Sequence, residues 1–115
     1  MDFLPPSDYV TIVFTIPETH ADSMRITMSK AGAGKFGNYQ FCSFSTKGTA
    51  HFMPLEGAHP SIGDIDKLET VVEERIETIC HKEYLEAVVA AIKEAHPYET
   101  TVIDIFPIYK IGIKT

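Results

Sequence analysis

The sequence predicts an α+β fold in which two helices cover one face of a four-stranded antiparallel sheet. Its 115 residues suit one domain. Its periodicities run in the order strand, helix, strand, strand, helix, strand, which is the split βαβ or ferredoxin-like arrangement. Two helices cannot cover both faces of such a sheet, so its second face must be polar or must meet another subunit. We expect one domain over residues 1–115, with its core at about residues 8–109.

The first half of the chain alternates between buried-strand and helical patterns. Tyr9–Ile16 is apolar and β-branched almost throughout, which is typical of a central strand. Pro17 ends it, and helical spacing of apolar residues predicts a helix over Glu18–Ala31 with Gly32 at its end. The next segment, Tyr39–Leu55, carries apolar groups on both faces. We therefore expect this strand to meet the core on one side and a partner chain on the other.

The second half repeats this alternation after a loop over Glu56–Leu68 that is rich in glycine and proline. Glu69–Cys80 has the two-residue period of a strand. Lys82–Ala95 carries apolar residues at i, i+3, i+4 and i+7, which predicts a helix that ends before Pro97. The last predicted strand is Tyr98–Tyr109.

Composition excludes several functional classes. The net charge of −6 argues against nucleic-acid binding and against an anionic membrane surface. No apolar run reaches the roughly 18 residues of a membrane span, and the N-terminus lacks a signal-peptide pattern. The expected location is the cytoplasm, where Cys42 and Cys80 would be reduced, buried thiols. A disulfide between them would need Cα atoms within about 7 Å.

Four ordered segments resemble the insertion domain of YqfO-type members of the Nif-three-like family, often labelled type-two GTP cyclohydrolase homologues. The segments are GAGKFGNY (Gly32–Tyr39), EGAHPSIG (Glu56–Gly63), EERIETI (Glu73–Ile79) and AHPYE (Ala95–Glu99). HPYE is also similar to the CutA family. The resemblance covers about residues 8–109 and implies a ferredoxin-like fold akin to the PII signalling proteins. It also implies a homotrimer built through long paired strands.

The chain departs from the full-length family in two ways. That family's flanking domains supply a dinuclear metal site with an adjacent His-His pair, which this sequence lacks. The family's proposed hydrolase chemistry is therefore not carried over, and we expect the lid-like insertion module as a stand-alone protein. Glu74 also stands where family members often have an apolar residue, which leaves the packing of that strand open.

Two segments could hold a ligand. The turn at Lys35 is either a plain backbone turn or a place for a small anion or nucleotide. His96–Glu99 either joins the last helix to the last strand or forms a ligand or metal pocket at a subunit junction, and Glu99 could instead pair with Arg75. Weighted by the resemblance, the residues expected near the site are Lys35, Asn38, Tyr39, Arg75, His96, Tyr98 and Glu99.

Metal binding and catalysis have less support from the residues. The five histidines show no i, i+4 spacing, so His59 and His96 form the leading candidate pair for zinc or another divalent transition metal. No catalytic residue is assigned. Glu73 and Glu77 flank Arg75 on one strand face, which reads as neutralised surface or interface charge.

The resulting expectation is a non-enzymatic small-ligand-binding or regulatory homotrimer. Tyr39 and Phe41, on the predicted long strand, would hold its subunits together. Two alternatives stay open: a divalent-metal-binding protein like CutA, and an adaptor for an unidentified protein partner.

Overall fold

The fold prediction is confirmed by a computed structural model that describes residues 4–115. Two helices pack against a four-stranded sheet with strand order β2-β3-β1-β4 over these residues. The elements are β1 (Pro6–Pro17), α1 (Glu18–Ala31), β2 (Phe44–Phe52), β3 (Glu69–His81), α2 (Leu85–Ala95) and β4 (Asp104–Tyr109). Short 3₁₀ turns span Lys82–Tyr84 and Lys110–Gly112.

All three strand pairings are antiparallel, and β1 lies between β3 and β4. Ile12 pairs with Thr78 of β3 and with Ile105 of β4. This central position explains why apolar residues occur at both odd-numbered and even-numbered positions of β1.

The helices cover one sheet face and bury the core there. The buried cluster is Val10, Ile12, Phe14, Ile16, Ala21, Met24, Met28, Ala33, Ile76, Cys80, Val88 and Ile92. The opposite face, called here the open face, carries Thr15, Thr46, Glu73, Arg75 and Phe106, as the strand register requires.

Glu74 lies on the helix side of β3 and is held by α1. The Arg25 guanidinium donates to Glu74 Oε1 at 2.8 Å and to Ser45 Oγ at 2.9 Å. Its second amino group pairs with Asp22. These bonds, above all the one to Glu74, raise the pKa of Arg25. An acidic residue is therefore accommodated at an otherwise apolar position by a cation from the facing helix.

Two strands are shorter than predicted: β2 against the predicted Tyr39–Leu55, and β4 against the predicted Tyr98–Tyr109. Residues 39–43 do not join β2, because the chain before it is held in a turn: Gly34 donates its N–H to Ile79 O, and Cys42 N–H donates to Gly34 O. Residues 34–42 thus form a compact turn against β3, in which Phe41 has φ of 60°. The placement of Tyr39 and Phe41 on a strand is therefore wrong.

The last strand starts at Asp104 instead of Tyr98. The β1–β4 ladder ends at the pair Val13–Asp104, and the next carbonyl on that side, Thr15 O, is taken by the His96 ring at 2.8 Å. Residues 96–103 therefore leave the sheet, and we call them the roof segment.

Both cysteines are free thiols. Cys80 is buried as expected, and burial raises the pKa of its thiol. Cys42 is only partly buried, which corrects the expectation for that residue. No helix within residues 4–115 has the length and apolar character needed to cross a membrane.

Candidate ligand site

A pocket of about 380 Å³ lies on the open face at the Glu69 end of β3. Its floor is formed by side chains of the three strands β1, β2 and β3. The roof segment and the loop of residues 53–68, called here the middle loop, cover it from above. Its lining includes Thr15, Ala50, Phe52, Glu73, Tyr98 and Val102.

His96 fixes the start of the roof segment. Its ring Nε2–H donates to Thr15 O at 2.8 Å, and its Nδ1 accepts from Tyr98 N–H at 3.2 Å. Because a carbonyl can only accept, these two bonds require the neutral Nε2–H tautomer. His96 is 6% exposed and both of its ring nitrogens are occupied, so in this position the ring has no lone pair left for a metal.

Tyr98 reaches from the roof segment down to a carboxylate in the sheet. Its hydroxyl donates to Glu73 Oε2 at 2.7 Å. The pKa of Tyr98 is raised, mainly by burial and secondly by this hydrogen bond. The Tyr98 ring also meets Phe52 edge-on, with centroids 5.5 Å apart. Glu73 is consequently only 4% exposed, so of the two interpretations of its charge the surface one is wrong, and the interface one stays a prediction.

Glu99 joins the roof segment to the middle loop. Its Oε1 accepts the backbone N–H of His59 at 2.9 Å. The alternative pairing with Arg75 is not formed, and Arg75 makes no ion pair with any carboxylate of residues 4–115. The middle loop and the roof segment are thus tied to each other through one carboxylate.

The remaining predicted residues lie at the other end of β3. Lys35, Asn38 and Tyr39 line a second pocket beside His81, where the Lys35 amine sits 5.0 Å from the centre of the Tyr84 ring. The N–H of Gly34, next to Lys35, donates to Ile79 O of β3 and is therefore not available to an anion. This favours the plain backbone turn over an anion site. Six of the seven predicted residues therefore divide between two ends of the sheet, and Arg75 lies between them in the middle of β3.

The predicted metal pair gains no support from the geometry. His59 contributes its backbone N–H to Glu99, and both ring nitrogens of His96 are occupied. Within the part of the chain that the structure describes, no three His, Cys, Asp or Glu side chains are grouped as metal ligands.

Comparison with known proteins identifies relatives of this chain, although no protein-family model matches it. It is 44% identical over 104 residues to a GTP cyclohydrolase 1 type 2 homolog of Halalkalibacterium halodurans, which covers 90% of this chain. It is 41% identical over 93 residues to the Bacillus subtilis homolog. A crystal structure of a Bacillus cereus protein related to NIF3 superposes on 93% of the chain with a TM-score of 0.74 and 37% identity. This chain is a Nif-three-like domain.

The Nif-three-like domain spans only a part of these relatives. It covers 28% of the first homolog, 25% of the second and 27% of the Bacillus cereus chain. It also has the fold of the periplasmic divalent cation tolerance protein CutA from Archaeoglobus fulgidus. That protein is 23% identical, with a TM-score of 0.61 over 92% of this chain and 88% of its own.

The site of the Nif-three-like domain includes one residue that sequence reasoning misjudged, Glu73, and one that it missed, Phe52. Strand alternation placed Glu73 correctly on the face opposite the helices. Its burial depends on Tyr98, which lies 25 residues later and reaches it only through the fold. The one available signal was a tyrosine in the turn after the last helix, since a buried tyrosine hydroxyl needs a partner.

Proposed function

We propose that the Nif-three-like domain is a non-enzymatic small-ligand-binding or regulatory module whose ligand occupies the pocket under the roof segment. The hydrogen bond between the buried Glu73 in the floor and Tyr98 in the roof segment is the observation that carries this proposal. A mostly apolar pocket with a few fixed polar groups is the usual form of a small-molecule site, and its volume of about 380 Å³ suits a compact ligand.

The bonding of the carboxylates in this pocket supports a binding role over a catalytic one. Glu73 accepts from a phenol and Glu99 accepts from a backbone amide. The Tyr98 hydroxyl does lie against a carboxylate, but its pKa is raised, whereas an activated nucleophile needs a hydroxyl or thiol that loses its proton more easily. The GTP cyclohydrolase in the name of the relatives concerns proteins of which this domain spans about a quarter, so we do not extend that activity to it.

A pocket-filling variant tests ligand binding. Ala50→Leu adds three carbons inside the pocket, whereas Ala87→Leu adds the same atoms to the exposed face of α2. Native mass spectrometry of protein purified without chelator should show a retained small molecule in wild type and Ala87→Leu, and its loss in Ala50→Leu. Equal retention by all three proteins would place the ligand elsewhere. Bare protein in every case would count against the proposal.

The same domain, we propose, assembles as a homo-oligomer, specifically a trimer, through its open face. Phe44 is 68% exposed and Phe106 is 52% exposed on that face. β2 is also an edge strand, so its outer backbone groups are available to another chain.

The free thiols of Cys42 and Cys80 fit the reducing cytoplasm that we propose as the location of this domain.

A charge placed on the open face tests the assembly. Phe44→Glu should give smaller species in sedimentation velocity, because a carboxylate would have to be desolvated in the interface. Leu68→Glu is the matched control, since Leu68 is 67% exposed but lies in the middle loop. An unchanged oligomer in Phe44→Glu, or a monomeric wild type, would refute this interface.

A further inference from the structure

We infer that the ligand of this pocket is a small organic cation, an ammonium group carried on a compact apolar or aromatic body. This inference rests on the small-ligand function proposed above. It comes from the two oxygens of Glu73, which are in different situations. Oε2 accepts the Tyr98 hydroxyl at 2.7 Å, whereas Oε1 has no hydrogen-bond partner among residues 4–115.

Oε1 of Glu73 is not fully enclosed by protein atoms. Within the described residues, no fully enclosed side-chain nitrogen or oxygen atom lacks a hydrogen-bond partner. Since Oε1 has no partner, it retains some accessible surface, although the residue as a whole is 4% exposed. Glu73 lines the pocket under the roof segment and also a smaller adjoining one of about 200 Å³, which Gly48 and Arg75 share.

This carboxylate also lacks a counter-charge. No lysine, arginine or histidine nitrogen of residues 4–115 lies within ion-pair distance of it. Arg75 is its nearest basic neighbour along β3, on the same face, and forms no ion pair with it. A nearly buried carboxylate is costly unless a cation or several N–H donors reach it. An ammonium ligand would supply both at the free oxygen.

The surroundings fit a cation with an apolar body and disfavour an anion. Glu99 lines the same pocket, and the charge of Glu69 is close enough to act on Tyr98. The other walls are mostly apolar apart from threonine and serine hydroxyls, with Phe52 and Tyr98 presenting aromatic rings at 62° to each other. Acidic groups around an enclosed apolar space attract cations and repel carboxylates and phosphates.

Three probes of nearly equal shape test the inference: 2-phenylethylamine, 2-phenylethanol and phenylacetate. Titrations of the full chain, followed by ¹H–¹⁵N chemical shifts, give their dissociation constants. A hydrogen bond to a charged group predicts that the amine binds about 10- to 100-fold more tightly than the alcohol. Phenylacetate should bind more weakly than both.

The variant Glu73→Gln should abolish the preference for the amine while preserving an acceptor for the Tyr98 hydroxyl. Glu77→Gln, on the same strand and face but outside the pocket, should preserve the preference. The wild-type comparison of amine and alcohol needs no variant, so a failure of Glu73→Gln to fold leaves the inference testable.

Three results would overturn it. Equal affinity for amine and alcohol, abolished by Ala50→Leu, would reject the ammonium group and retain the pocket. Absence of binding by every probe would reject the ligand class, and the mass-spectrometric test would still decide the proposed function separately. Dissociation of the oligomer by Glu73→Gln would show that a cation from a second copy pairs with Glu73 in place of a ligand.

Discussion

Replacing either partner of the Arg25–Glu74 pair should destabilise the domain, and by unequal amounts. The two side chains are 27% and 12% exposed, so the pair is largely shielded from solvent. Arg25 has two further acceptors, Ser45 and Asp22, whereas Arg25 is the only cation within ion-pair distance of Glu74 among residues 4–115. Removing Arg25 therefore leaves the Glu74 carboxylate without a cation, whereas removing Glu74 leaves Arg25 bonded to Ser45 and Asp22.

The magnitudes follow from this asymmetry. Arg25→Met should lower the free energy of unfolding by about 2–3 kcal/mol, because a charged hydrogen bond is lost and a shielded carboxylate is left unpaired. Glu74→Leu should cost about 1 kcal/mol, since its apolar side chain packs on the core side of β3. The double variant should lie within about 1 kcal/mol of wild type, which corresponds to a coupling energy of at least about 2 kcal/mol.

The assay is urea unfolding of the four proteins at one fixed protein concentration, because assembly would make the stability concentration-dependent. Each kcal/mol should also shift the melting temperature by roughly 3–6 °C for a domain of this size. Lys47→Met is the control: its pair with Glu18 is long, at 3.7 Å, and exposed. It should therefore cost less than about 0.5 kcal/mol. Additive costs, or equal costs for the two single variants, would refute the reasoning.

Two more substitutions test the roof segment and the turn. Because burial and its carboxylate partner raise the pKa of Tyr98, its stabilising effect is complete below about pH 10 and is lost as the pH rises further. Tyr98→Phe should therefore lose less stability than wild type in urea titrations between pH 9 and 11, with the exposed Tyr39→Phe as a control that behaves like wild type. Gly34→Ala should cost at least about 2 kcal/mol, since φ is 74° and a Cβ would lie 2.5 Å from Cys42 N. Gly48→Ala, with open space at its Cβ, should be neutral or slightly stabilising, and equal melting temperatures for the two glycine variants would contradict this account.

The sequence predicted elements best where local chemistry marks their ends. α1 occupies Glu18–Ala31 as expected, because Pro17 precedes it and Gly32 adopts a positive φ at its end. β2 and β4 were overextended because both flanking segments look like strands locally. What shortens them is long-range: Gly34 takes the edge of β3, and His96 takes the carbonyl of Thr15.

The candidate site was predicted only in part, for the same reason. Tyr98 and Glu99 do line one pocket, and His96 fixes the start of the segment that carries them, because the three are adjacent in sequence and follow the end of α2 together. Lys35 lies at the far end of β3, which no local pattern could reveal. Glu73 needed the register of the sheet and the path of the roof segment, both of which are set by contacts distant along the chain.

The position of β1 in the sheet has a consequence for synthesis. This most apolar strand leaves the ribosome before either of the strands that pair with it, which begin at Glu69 and Asp104. Both of its edges thus stay unpaired until those later segments have been made. Pairing across such sequence distances is slow, and unpaired edges invite association with other nascent chains. The pairing of β4 with β1 therefore completes the sheet, and we expect chains truncated before Asp104 to aggregate.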